Sequence, residues 1–318
     1  MGLIFLVCIA AAVLFAWNVL LYMYRTVYRS TKIAGSTVLI TGAGSGIGRL
    51  MAVECAARGA KHLVLCDINE KSVDQTALLI TATSSVNVKT FIVDVSDEKS
   101  VSEFKGRVDK LGYEIDILIN NAGIVCGKPL CDGSLSPNMA LRTLKVNAFS
   151  NFISLHAFLP TMVKRKKGHI VTIASTMGMM SAPMLSDYNA SKAAQIAMHN
   201  AVRLELIERC PEIRTLLVCP HQINTGMFNG CNTSPSLAAR ISRMLVPELE
   251  PDFVSTRVLD GIENGDSWIV TPILVRFLPL VLQLFPMEIF HWICGSLGVH
   301  EAMKTFKGRP RPAEKKRE

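Results

Sequence analysis

From residue 36 onward, short apolar runs rich in β-branched residues alternate with longer stretches whose apolar positions recur every three to four residues. Runs at 37–41 (TVLIT), 62–66 (HLVLC), 88–93 (VKTFIV), 115–119 (IDILI), 169–174 (HIVTIA), 214–218 (RTLLV) and 268–271 (WIVT) predict strands. They are apolar at nearly every position, as strands covered by helices on both faces must be. Stretches 47–58, 70–83, 99–110 and 190–209 predict helices between them. Such alternation builds βαβ units, so the expected fold is α/β with a doubly wound parallel sheet.

Three regions depart from the alternation. Residues 222–251 form a long connection with Gly226, Gly230, Pro235 and Pro247, the pattern of a lid or binding loop. Residues 273–299 are strongly apolar but broken by Arg276, Pro279, Pro286 and Glu288, which predicts short amphipathic helices over a substrate mouth or on a membrane surface. Residues 2–24 are uncharged, with Asn18 as the one strongly polar side chain. As a helix they would reach roughly 34 Å, enough for a bilayer core. No basic segment precedes the run, which argues against a cleaved signal peptide. Tyr22, Tyr24 and Tyr28, then Arg25, Arg29 and Lys32, mark a cytosolic interface after it. A monotopic hairpin or interfacial anchor is the alternative to a full span. The expected organisation is therefore an anchor at 1–24, a basic linker at 25–35, the α/β body at 36–272, apolar helices at 273–303 and a basic tail at 304–318.

Charge sharpens this division. Of 34 Lys and Arg against 26 Asp and Glu, the first 32 residues hold three bases and no acid, and the tail holds seven bases against two acids. The body between carries 24 of each sign and is neutral, so composition offers no support for a nucleic-acid partner. A hydrophobic content of 49% excludes a largely disordered chain. Nine cysteines without a CxxC pair predict buried free thiols in a reducing compartment and no metal site. The terminal Lys315-Lys316-Arg317-Glu318 resembles the di-lysine retrieval signal of endoplasmic-reticulum membrane proteins, a signal that works only in the cytosol.

The candidate chemistry begins at the end of the first strand. Thr41-Gly42-Ala43-Gly44-Ser45-Gly46-Ile47-Gly48 joins that strand to the first helix, where glycines let backbone N–H groups approach a pyrophosphate held at the helix N-terminus. Its place at the strand-to-helix junction is the context expected of a dinucleotide-binding turn in a Rossmann fold. Asp67 ends the second strand, 19 residues after Gly48. A carboxylate there accepts hydrogen bonds from the adenosine ribose and repels a 2′-phosphate, favouring NAD over NADP. Asp94 ends the third strand and Asn120-Asn121-Ala122-Gly123 the fourth, both at the carboxyl ends where open α/β sheets bind ligands. Asn147, Ser175 and Tyr188-Asn189-Ala190-Ser191-Lys192 follow. Four residues apart on a helix, Tyr188 and Lys192 share a face, and a nearby ammonium lowers a phenol toward working pH.

The TGAGSGIG turn, NNAG, Asn147, Ser175 placed 13 before the tyrosine, and YNASK, in this order, resemble the short-chain dehydrogenase/reductase family over roughly 36–271. The resemblance implies Tyr188 as general acid/base, Lys192 as the residue that tunes the phenol and binds the nicotinamide ribose, Ser175 as donor to the substrate oxygen, and Asn147 as holder of a proton-relay water. It places Gly42, Ser45, Gly46, Ile47 and Gly48 along the pyrophosphate, Asp94 and Val95 at the adenine, Asn121 and Gly123 on the adenosine side, and Thr225 near the carboxamide. Pro220-His221 stands where the family commonly has Pro-Gly, which implies a reshaped nicotinamide mouth.

The anchor, CGK at 126–128, HAFLPTM at 156–162, NTGMFNGC at 224–231 and LGVHEAM at 297–303 look like the membrane-bound branch with retinol and 17β-hydroxysteroid dehydrogenases. MKTFKGR at 303–309 resembles that branch's retinal reductases, which carry a basic residue where Asp67 stands. The expectation is a membrane-bound, NAD-dependent oxidoreductase of a lipophilic alcohol or carbonyl at the endoplasmic reticulum or a lipid droplet, with its body cytosolic and a homodimer open. An NADPH-dependent reductase and a non-catalytic lipid-surface protein are the alternatives.

Overall fold

The computed structural model describes residues 12–13, 15–20, 30–231, 240, 244, 247–277, 286–296, 303 and 306–308. Seven parallel strands, β1 (Thr37–Thr41), β2 (His62–Asp67), β3 (Asn87–Ile92), β4 (Ile117–Asn120), β5 (Gly168–Ile173), β6 (Ile213–Pro220) and β7 (Trp268–Thr271), form one sheet in the order 3-2-1-4-5-6-7. The doubly wound parallel sheet expected from the alternation is present. All seven strands fall within two residues of their predicted bounds at either end; β6 starts one residue earlier and runs two residues further, to Pro220.

Helices α1 (Gly46–Ala57), α2 (Glu70–Thr81) and α3 (Glu98–Lys110) lie where the periodicity puts them. Asn69 and Asp97 cap the second and third by accepting from Ser72 N and from Lys99 N and Ser100 N, which sets their first turns. Between β4 and β5, where the pattern named no helix, lie α4 (Pro137–Leu144), a π-helical turn at Lys145–Phe149 and α5 (Ser150–Arg165). Pro160 inside α5 and the π turn obscure the 3.6-residue repeat there. Helix α6 runs Ser186–Arg209, starting four residues before the predicted 190, and so takes Tyr188 into its first turn. Helices α7 (Pro251–Asn264) and α8 (Met287–Ser296) follow.

Two cores sandwich the sheet. One packs Ile40, Met51, Leu65, Leu216, Val258 and Ile262 under α1 and α7; the other packs Leu39, Phe104, Leu118, Phe158, Met162 and Met198 under α3, α5 and α6. Each fully buried aliphatic or aromatic side chain there is worth about 1.5–3 kcal/mol of transfer from water. The linker joins the amino-terminal edge of the body: Thr31 N donates to Ile262 O at 3.1 Å, Thr31 Oγ1 lies 2.9 Å from His169 Nδ1, and Ile33 is fully buried.

Of the expected anchor, only residues 12–13 and 15–20 are described, as exposed helix; the rest of 1–24, residues 25–29 of the linker, and residues 304–305 and 309–318 of the tail lie outside the described residues. Among the described residues no helix is long and apolar enough to cross a membrane. In the 273–303 region, a 3₁₀ segment at Ile273–Phe277 and α8 expose Ile273, Leu274, Phe277, Ile289 and Trp292. Four described cysteines are buried, but Cys126 and Cys231 are half-buried and Cys131 is exposed. Cys131 departs from the expectation because it sits in the surface turn where Gly133 N bonds Leu130 O.

Candidate active site

The sheet reverses its winding between β1 and β4, so the helices after these strands diverge and leave a crevice at their carboxyl ends. The glycine turn occupies one side of it. Gly42 and Gly46 have φ of 66° and 56°, a region that side chains rarely enter. A Cβ on Gly48 would overlap the Gly42 carbonyl oxygen, so only glycine lets α1 start against the turn. N-cap Ser45 makes no side-chain cap and no acid occupies the first turn, which keeps the helix terminus suited to an anion. Ile47 is buried beneath the turn. These features fit a dinucleotide pyrophosphate.

Asp67 sits directly against this cradle. Its Oδ2 accepts from Gly44 N at 2.9 Å and its Oδ1 from Asn69 N at 3.0 Å, and a Cβ on Gly44 would lie 2.8 Å from Oδ2. The Arg49 guanidinium nearby bonds Thr76 Oγ1 and the carbonyls of Gly44 and Ser72. Asp94, two residues beyond β3, accepts from Ser96 N and Oγ through Oδ1, and Val95 packs on the adjoining core.

Asn121 braces the turn. Its Nδ2 donates to the Thr41 and Gly42 carbonyls at 2.9 and 3.2 Å, while Thr41 Oγ1 accepts from Asn121 N and Ala122 N. Gly123 lies at the other end of the crevice from the adenosine side implied above: a Cβ on it would be 3.4 Å from Asn147 Oδ1 and 3.7 Å from Lys192 Nζ.

Asn147 is fully buried in the π turn and bonds Ile124 twice, accepting from its N–H at 2.8 Å and donating to its carbonyl at 2.9 Å. It also donates to Ser191 Oγ at 2.9 Å, and its own carbonyl accepts from Asn151 Nδ2. The side chain thereby ties the strand β4 loop to the face of α6 that carries Tyr188 and Lys192. Asp187, buried beside Tyr188, accepts from Thr143 Oγ1 at 2.6 Å and fastens α6 to α4. Neither Asp187 nor Thr143 was singled out in the sequence, since their 44-residue separation gives no local signal.

Ser175, two residues beyond β5, accepts from Met177 N at 3.1 Å and donates to the Pro220 carbonyl at 3.4 Å. Burial pushes the Tyr188 phenol up to about 12, the nearby Ser175 hydroxyl opposing it. Burial likewise pulls the Lys192 ammonium down to about 7. Lys192 Nζ lies 5.6 Å from the Tyr188 ring centroid and donates to the Ile173 carbonyl at 3.0 Å. The shared face is as expected, and desolvation is the largest influence on both groups.

His221 is half-buried, with Nδ1 3.1 Å from Thr176 Oγ1, and burial lowers its basicity. Thr225 is half-buried in the bend that follows, its N–H bonding the Ile223 carbonyl. The two ends of the long connection are joined: Ile223 pairs with Leu249, and Gln222 Nε2 reaches Glu248. The remaining wall is aromatic. Phe228 stands edge-on to Tyr188, with centroids 5.7 Å apart, and belongs to a cluster with Leu185, Met303 and Phe306.

Known proteins are similar to this chain in sequence and in fold. The family described as short chain dehydrogenase matches residues 36–235. Human epidermal retinol dehydrogenase 2 is 34% identical over 277 residues, covering 86% of each chain, and human retinol dehydrogenase 10 is 33% identical over 303 residues, covering 87% of this chain and 86% of that one. A short chain dehydrogenase from Burkholderia cenocepacia in complex with NADP superposes with a TM-score of 0.67 at 22% identity, over 83% of this chain and 99% of that one. An alcohol dehydrogenase from Thermococcus sibiricus complexed with 5-hydroxy-NADP gives 0.63 at 23% identity, over 74% and 95%. These two superpositions show a shared fold. By the span and level of these matches the chain belongs to the short chain dehydrogenase family and is an alcohol-acting oxidoreductase.

Proposed function

We propose that the protein is an NAD-dependent dehydrogenase of a lipophilic alcohol, of the retinol or hydroxysteroid class, held at the cytosolic face of the endoplasmic-reticulum membrane by its N-terminal segment. The observation that carries this reading is the convergence of Ser175, Tyr188 and Lys192, all buried, on a crevice whose far end pairs the glycine turn with Asp67. A bound nicotinamide supplies the hydride acceptor. Ser175 Oγ holds the substrate oxygen, and Tyr188 Oη takes its proton as the carbinol becomes a carbonyl. Asn147 fixes the relative placement of the Ile124 loop and α6.

Asp67 supports NAD. Its carboxylate stands at the Gly44 amide, where an adenosine 2′-phosphate would meet negative charge, and Arg49 is engaged with Thr76, Gly44 and Ser72. Two structural neighbours carry NADP or its 5-hydroxy form, so cofactor preference is the decisive measurement. The names of the relatives and the aromatic wall beside Tyr188 support a retinoid-like substrate. The apolar N-terminal run, its basic flank and exposed Ile273, Leu274, Phe277 and Trp292 support membrane association.

The test is kcat/KM for retinol and hydroxysteroids with NAD and with NADP, on membranes that contain the protein. The reading expects oxidation with NAD preferred. Preference for NADP, or no turnover of any lipophilic alcohol, overturns it.

A further inference from the structure

The segment that ends the described chain returns to the catalytic tyrosine. Lys307 N and Gly308 N both donate to the Asn229 carbonyl, at 2.8 and 3.3 Å, and Phe306 N bonds Met303 O. Asn229 lies between Gly226 and Gly230, whose φ values of 78° and 83° turn the loop so that this carbonyl faces the returning strand of chain. Met303 is buried and its sulfur lies 3.3 Å from Cys231 Sγ. The Phe306 ring lies 6.5 Å from that of Phe228, which itself stands edge-on to Tyr188.

The seat of the Phe306 ring is Gly127. A Cβ built on Gly127 would overlap three atoms of that ring, so a glycine is required there for the ring to lie where it does. Gly127 follows the loop from Ile124, which Asn147 ties to the catalytic helix. Three separate pieces of chain, at 127, 228 and 306, therefore meet beside Tyr188.

Resting on the function proposed above, we infer that Phe306, seated on Gly127 and clasped through Asn229, is the specificity-determining wall of the substrate site, selecting elongated apolar alcohols over short ones. A long apolar chain packs along the Phe306 and Phe228 rings with its carbinol at Tyr188, whereas a short alcohol reaches Tyr188 without touching Phe306. Aromatic contacts of this kind change binding by about three- to tenfold.

The test compares kcat/KM for a long-chain lipophilic alcohol with that for a short secondary alcohol, using the full-length enzyme in membranes. In Phe306→Ala the long-to-short ratio should fall by about three- to tenfold. Gly127→Ala should cause a similar fall, since it displaces the ring while leaving residue 306 intact. Fluorescence titration with reduced cofactor checks that each variant still folds and binds it. If Phe306→Ala does not fold, Phe306→Leu, which keeps apolar volume but loses the ring, replaces it. An unchanged or increased ratio in the folded variants overturns the inference. Lack of turnover by the wild-type enzyme on the long alcohol would instead refute the function proposed above.

Discussion

Lys192 Nζ and the Tyr188 ring are 5.6 Å apart on neighbouring turns of one helix, yet the ammonium is bonded to the Ile173 carbonyl. Burial weakens the charged form of each, leaving the phenol near 12 and the ammonium near 7. Positive charge must come alongside the phenol before tyrosinate can serve as a base.

Replacing Tyr188 by Phe removes the proposed proton-transfer group while preserving the edge-on ring contact with Phe228. Turnover should fall by about 10²- to 10⁴-fold with cofactor affinity retained. Steady-state assays with parallel cofactor titration check this, and near-wild-type turnover by the folded variant would remove Tyr188 from the mechanism.

The depressed Lys192 value makes stability depend on pH. Between pH 7 and the unfolded value of 10.5, the unfolded chain binds a proton that the folded chain does not, so stability rises with pH in that window. Buried Cys66 and Cys219, raised from 9.0, act oppositely as pH approaches 9, because the unfolded thiols ionise first. Cys55, Cys210 and Cys231 are raised as well, so denaturant unfolding of the cofactor-free protein should show a rise from pH 7 to about 8, shallower than the roughly 1.4 kcal/mol per pH unit of a single group, that levels off by about pH 8.5. Lys192→Met should lose that slope. An identical slope in the variant would show that another group is responsible.

Asp67→Arg should move preference toward NADP, removing negative charge at the Gly44 amide and adding a partner for the 2′-phosphate. It also removes the carboxylate that would accept from the adenosine ribose hydroxyls, a charged hydrogen bond worth about 1.5–3 kcal/mol, so kcat/KM with NAD should fall by about tenfold or more. The ratio of kcat/KM for the two cofactors is the readout, and an unchanged ratio would show that Asp67 does not discriminate.

A cytosolic body predicts that the sequons at Asn189 and Asn232 carry no glycan. Asn189 is half-buried on α6 with Nδ2 donating to the Ala182 carbonyl, so a glycan there would disrupt the catalytic helix. Endoglycosidase should leave mobility unchanged, and protease outside sealed microsomes should digest the body. A protected, glycosylated body would reverse the orientation.

What the sequence determined by itself is what short-range chemistry specifies. The seven parallel strands and the glycine turn were legible because alternating apolar runs and the TGAGSGIG spacing act within one βα unit. The shared face of Tyr188 and Lys192 follows from helix geometry alone. Partners distant in sequence were decided only by the tertiary structure. Asn121 bracing Thr41 and Gly42, Gly123 standing beside Lys192, and Asn147 bonding both Ile124 and Ser191 depend on how strand ends converge. The π turn that aims Asn147 sits in a stretch whose repeat it breaks. The state of the Tyr188 and Lys192 pair was likewise beyond the sequence, since spacing sets proximity whereas burial by the whole fold sets desolvation. The contact of Phe306 with Gly127 joins residues that have no local relationship, and packing against the loop at 226–231 decided it.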